Sequence, residues 1–127
     1  MVSKVANKYV VLFFIFHLVQ CAFTCNRATA QDIDLAWVKQ VGGAGEELSH
    51  SITVDASGNI YTCGLFSGTG DFDPGPLVFN LTSNGEYDIF ITKFDPAGNF
   101  IWAKSMGGAN SDQAASIAVD ATGNVYT

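Results

Sequence analysis

Apolar residues fall into short, strand-length runs separated by glycine, asparagine and aspartate, and a long apolar run occurs only near the N-terminus. Residues 51–54 (Ser-Ile-Thr-Val) and 60–63 (Ile-Tyr-Thr-Cys) flank the segment 55–59. Residues 89–94 and 100–104 flank 95–99, and residues 116–119 and 125–127 flank 120–124. Runs of this length, rich in β-branched and aromatic residues and bounded by turn formers, predict strands joined as three hairpins. Beyond residue 30 no window sustains a 3.6-residue apolar period, so no helix is expected there. Residues 77–81 (Leu-Val-Phe-Asn-Leu) predict a short extra strand, and the Gly- and Pro-rich residues 68–76 predict loop.

Each hairpin carries the same turn, Asp-x-x-Gly-Asn. It occurs as Asp55, Gly58 and Asn59, as Asp95, Gly98 and Asn99, and as Asp120, Gly123 and Asn124. The aspartate accepts a hydrogen bond from a backbone N–H two residues on. The glycine takes the positive φ that closes a type I turn followed by a bulge. Geometry thus accounts for every residue in these segments and leaves no need for a metal there.

Residues 37–62 recur without a gap as residues 102–127, an offset of 65, with 14 of 26 positions identical. Trp37 aligns with Trp102, Lys39 with Lys104, and Gly42-Gly43 with Gly107-Gly108. One 65-residue unit therefore holds two hairpins, or four strands. In residues 89–94 and 100–103 odd and even positions alike are apolar, whereas a sheet with one wet face alternates. Sheets stacked radially, each covered on both sides, fit this pattern, so the expected architecture is an all-β propeller fragment. Residues 1–30 are read as a signal peptide and 31–48 as the fourth strand of an incomplete blade with its connection. Residues 49–106 form a complete blade and 107–127 the truncated first hairpin of the next. Trp37 and Trp102 are expected in the core between blades.

These residues resemble a known family. The run Trp-x-Lys, Gly-Gly, Ser-Ile-x-Val-Asp-Ala-x-Gly-Asn-x-Tyr-Thr, with Asp71-Phe72-Asp73-Pro74-Gly75 and Asp88-Ile89-Phe90-Ile91-Thr92-Lys93-Phe94, is similar to the bacterial β-propeller repeat often called SBBP. The resemblance covers nearly all of residues 35–127. It implies a secreted or cell-surface protein of bacterial type, with no catalytic residues to carry over.

The N-terminus agrees with export. Lys4 and Lys8 precede the apolar residues 9–19, and Ala28-Thr29-Ala30 supplies a small-x-small cleavage pattern before Gln31. The run is shorter than the roughly 20 residues that span a bilayer. Residues 18–21 (Leu-Val-Gln-Cys) partly match a lipidation motif at Cys21, but Gln20 stands where a small residue is required. From residue 31 on, twelve acidic residues face three lysines, which argues against nucleic acid or an anionic membrane as partner. Cys63 is then the single cysteine, so no internal disulfide can form.

Chemistry-bearing groups are few. Asp71 and Asp73 offer oxygen ligands of the kind calcium takes, yet their loop lacks the ligand order of an EF-hand. Gly42-Gly43-Ala44-Gly45 is followed by no helix that would favour a phosphate. His50 becomes Ala115 one unit on, Cys63 has no neighbouring base, and the adjacent Glu46 and Glu47 point to different faces. Asn80-Leu81-Thr82 fits a glycosylation sequon, read as incidental beside the bacterial resemblance. The expected role is a non-catalytic scaffold binding a protein or glycan through its loops. Competing readings are a propeller enzyme with its catalytic residues in other blades, or a purely structural surface repeat.

Overall fold

A computed structural model describes residues 35–127 and, upstream, the backbone of two short strands. The chain divides into two compact units, Met1–Trp37 and Val38–Thr127. In the first, β1 (Ser3–Val5) pairs antiparallel with β2 (Tyr9–Val11). The expected signal peptide, Cys21 included, otherwise lies outside the described residues.

The second unit holds β3 (Gly42–Gly43), β4 (Glu47–Val54), β5 (Ile60–Phe66), β6 (Thr69–Asp71), β7 (Asn80–Thr82), β8 (Asp88–Phe94), β9 (Phe100–Met106), β10 (Ala118–Val119) and β11 (Val125–Tyr126). Strands β4-β5-β8-β9 form one antiparallel sheet, the four-stranded blade. β10 and β11 form the first hairpin of a second sheet, and β3-β6-β7 a small third one. The described residues contain no helix.

Two expectations change. Residues 35–41, read as the fourth strand of an incomplete blade, form no ladder: the one third strand at hand, β8, is already paired on both edges, with β5 and β9. Residues 69–71, read as loop, form β6, because Thr69 and Asp71 find partners in Thr82 and Asn80 on β7. The extra strand read within residues 77–81 is observed at Asn80–Thr82.

Both faces of the central strands are covered, as the doubly apolar sequence requires. On one face Tyr61, Cys63 and Ile91 are buried with Ala114 and Ile117 of the following segment, and Ile89, Trp102, Val119 and Val125 pack around them. On the other, Phe66, Phe90 and Ala103 are buried with Phe72, flanked by Val41, Leu81 and Phe100. The Phe72 ring sits 5.3 Å from that of Phe66 and 5.2 Å from that of Phe90. Burying each such ring contributes about 1.5–3 kcal/mol. So the second face is covered by the chain's own β5–β8 connection, folded back as the small sheet.

Between the phenylalanines the sheet carries Thr62 and Thr92, whose hydroxyls share a 2.6 Å hydrogen bond across β5 and β8. At the upper end of β8 the buried Asp88 accepts from the Asn84 backbone N–H at 3.1 Å and from its side-chain amide at 3.2 Å. The carboxylate lies so close to Gly107 that a Cβ there would run into it.

Gly64 is the tightest point of the blade. A Cβ there would collide with the Leu48 carbonyl oxygen and lie 2.9 Å from the Phe90 ring edge. Gly64→Ala is expected to lower stability by about 1–3 kcal/mol, the usual penalty for overpacking, as read from chemical denaturation.

Candidate binding surface

The antiparallel order sends the β4–β5 and β8–β9 turns to one end of the blade, and the β5–β8 connection leaves from the other. At the turn end the three Asp-x-x-Gly-Asn segments fold alike. Gly58, Gly98 and Gly123 adopt φ of 83°, 80° and 88°. Each donates its N–H to the carbonyl of its aspartate, at 2.9, 2.9 and 3.0 Å. One carboxylate oxygen of Asp55 accepts the N–H groups of Ser57 and Asn59, and the other accepts the Asn59 amide at 2.7 Å. Asp95 and Asp120 repeat the pattern with Asn99 and Asn124.

These contacts set the aspartates' acidity. Burial pushes the Asp55 carboxyl up, but hydrogen bonds from Asn59, Tyr61 and Ser57 outweigh it and leave the pKa below its ordinary 3.8. Backbone and side-chain donation from Asn99 lowers Asp95. The Asn124 amide and the Thr122 hydroxyl hold Asp120 well below the usual carboxylate range.

A polar cleft of about 250 Å³ separates the Asp55 and Asp120 turns. Tyr61 and Lys93 line its floor. The Lys93 ammonium lies 4.9 Å above the Tyr61 ring and 4.0 Å from the Asp55 carboxylate, while the Tyr61 hydroxyl donates to Asp55 at 3.1 Å. Tyr126 repeats the last bond with Asp120 at the same distance. The cleft's charged groups are thus spent on one another.

At the opposite end the Gly-Gly linkers are closed by carboxylates that the sequence reading passed over. Gly43 donates its N–H to Glu47 Oε1 at 3.0 Å, and Gly108 donates to Asp112 Oδ2 at 2.9 Å. Positions 47 and 112 are 65 apart, so an acidic residue kept beside a kept Gly-Gly was the available signal. Glu46 meanwhile accepts from the Tyr87 hydroxyl at 2.8 Å, which raises the tyrosine's pKa. His50 sits at a bulge in β4, with Nδ1 2.7 Å from the Ala114 carbonyl oxygen, so Nδ1 carries the donated proton.

The β5–β8 connection projects the most accessible apolar surface of the second unit apart from Val38. Asp71 Oδ1 accepts the N–H groups of Asp73 and Phe79, and Asp73 Oδ1 accepts that of Gly75. Those bonds fold residues 71–79 into a tight excursion. Its tip bears Leu77 and Val78, 72% and 71% exposed. Phe79 anchors it, its ring 5.2 Å from that of Phe100. Between this tip and the Gly98 turn lies a cleft of about 210 Å³, with Lys39 at its rim. Asp71 and Asp73, read as candidate calcium ligands, are engaged in shaping this loop, and no three His, Cys, Asp or Glu side chains converge among the described residues.

Trp102 is half-buried and meets Tyr61 edge-on, with centroids 6.1 Å apart and Lys104 5.8 Å above its indole. Trp37, its repeat partner, lies in residues 35–41, outside any strand. Cys63 is fully buried, and burial pushes its thiol pKa up, away from nucleophilic use.

Comparison with known proteins points to the same architecture. Residues 36–72 match a family profile, SBBP, described as a beta-propeller repeat. The fold is that of β-propeller repeats. The chain is also 26% identical, over 113 aligned residues, to an uncharacterized WD repeat-containing protein of Acanthamoeba polyphaga mimivirus. That alignment covers 78% of this chain and 8% of the relative, so the chain spans a small part of the relative's length. No solved structure matches. Among the described residues no helix is long and apolar enough to cross a membrane.

The lowered pKa values of Asp55, Asp95 and Asp120 fix a pH response. A carboxyl depressed in the folded state stabilises the fold above its unfolded pKa, and that contribution is lost as pH falls. The melting temperature is therefore expected to drop as pH is lowered below about 4, and to drop less in the Asp55→Asn, Asp95→Asn, Asp120→Asn triple variant. His50→Ala is expected to speed amide exchange across residues 114–119, measured by hydrogen-exchange mass spectrometry, with residues 89–94 little changed.

Proposed function

We propose that this β-propeller repeat protein is a non-catalytic scaffold, secreted or displayed at a cell surface, that binds a protein or glycan through the β5–β8 connection. The observation that carries the reading is the pairing of a rigid support with an exposed tip. Phe72, Phe79 and Leu81 fasten the connection to the blade, while Leu77 and Val78 face solvent beside a shallow cleft. Binding residues concentrate on loops held by a rigid framework, where little ordering entropy opposes association. The acidic balance favours a partner that is neutral or basic rather than a polyanion.

The export half of the reading rests on residues 1–30. Fusing them to alkaline phosphatase is expected to yield activity outside the cytoplasm, and N-terminal sequencing of the exported native chain is expected to begin at Gln31. An uncleaved or cytoplasmic product would count against it. For binding, the test is a glycan array and a chemical cross-linking screen against proteins of the same surface. Leu77→Asp with Val78→Asp is expected to weaken any captured interaction at least tenfold without lowering the melting temperature. Binding that survives the double substitution would move the site elsewhere.

A further inference from the structure

The cleft between the Asp55 and Asp120 turns holds hydrogen-bonding capacity that the fold does not use. Lys93 reaches its floor from β8, with its side chain 21% exposed. The ammonium is held by charge and by the ring beneath it: Asp55 Oδ2 lies 4.0 Å away, the Tyr61 ring centre 4.9 Å away, and no acceptor among the described residues comes within hydrogen-bond distance. An ammonium carries three donors, so the floor offers N–H groups to whatever enters. At the lip the exposed Ser57 hydroxyl is likewise unengaged among the described residues.

The two carboxylates are in the opposite condition. Asp55 accepts four hydrogen bonds, from the Ser57 and Asn59 N–H groups, the Asn59 amide and the Tyr61 hydroxyl. Asp120 accepts five, from the Thr122 and Asn124 N–H groups, the Thr122 hydroxyl, the Asn124 amide and the Tyr126 hydroxyl. A carboxylate offers about four lone-pair sites, so neither has room for a further donor or a coordinated cation. Their charges remain, two against one ammonium, and that balance repels an anion. The enclosed space of about 250 Å³ falls below the roughly 300 Å³ at which pockets for drug-sized ligands begin. The occupant that suits these walls is compact, uncharged and rich in hydroxyls.

We propose that this cleft is a binding site for one neutral sugar ring. The Lys93 ammonium donates to two neighbouring ring hydroxyls, and the Ser57 hydroxyl accepts from a third. Ala56 and Ala121, equivalent positions of the two turns, line the cleft and give the C–H faces of the ring an apolar contact. Tyr61 is 1% exposed, too deep to stack on the sugar, and serves to seat Lys93. The site is built at the junction of two repeat units, and neither hairpin alone forms it. It shares no residue with the cleft beside Leu77 and does not rest on the role proposed for that tip.

Saturation-transfer NMR on the full chain tests this, with the methyl glycosides of glucose, galactose, mannose and N-acetylglucosamine as probes. At least one is expected to bind with a Kd on the order of 1 mM, the strength of a few hydrogen bonds at an open site. Lys93→Met keeps an unbranched stem over Tyr61 and is expected to weaken that binding at least tenfold. Ala121→Trp fills the cleft from an exposed position, and is expected to abolish transfer while leaving the melting temperature unchanged. Should Lys93→Met fail to fold, Ala121→Trp decides the matter alone. Absence of transfer to all four glycosides would overturn the proposal, as would transfer that survives Ala121→Trp. Tighter binding of glucuronate or glucosamine would also overturn it, because charge and not hydroxyls would then be read. Leu77→Asp with Val78→Asp is expected to leave the signal intact, and its loss there would assign the sugar to the tip instead of this cleft.

Discussion

The blade depends on covering both faces of β5 and β8. These strands carry large apolar groups at odd and even positions, and neither face can be left in water without forfeiting the burial that stabilises the sheet. The following hairpin covers the Tyr61, Cys63 and Ile91 side. The β5–β8 connection covers the Phe66 and Phe90 side, with Phe72 wedged between the two rings. The connection is therefore both a core element and the carrier of the exposed tip, and the fastening that stabilises the blade also holds the tip against it.

The two ends of the blade divide the remaining work. At the turn end, aspartate carboxylates gather backbone and side-chain donors so that chain reversal costs little, and the charged groups nearby neutralise one another. At the other end, Glu47 and Asp112 close the Gly-Gly linkers, and His50 ties β4 to the start of the next sheet. These devices recur or join units across the 65-residue period. The excursion at residues 71–79 lies outside these joints and carries Leu77 and Val78 exposed at its tip.

Most of the architecture was legible in the sequence because its signals are local or repeated. Asp-x-x-Gly-Asn states a turn residue by residue, and the 65-residue offset states the unit. The small sheet was less legible: strands of two or three residues are too short to show alternation, and β6 lies in a Gly- and Pro-rich stretch that suits a loop equally well. The Glu47 role does not show in strand periodicity, because the bond it makes is to the linker four residues upstream. His50 left no trace in the repeat, since Ala115 takes its place. The apolar tip at Leu77 and Val78 could not be told from a buried strand, because hydrophobicity alone does not say which side chains find cover.

Burial of Cys63 ties its chemistry to the integrity of the sheet. Its sulfur is enclosed between Tyr61, Ile91 and the packed residues of the next hairpin, with no second thiol among residues 35–127. An oxidant meets it only when the sheet opens. Oxidation of this thiol to sulfenic acid is thus coupled to opening of the sheet, and residues 35–127 hold no second cysteine to pair with it.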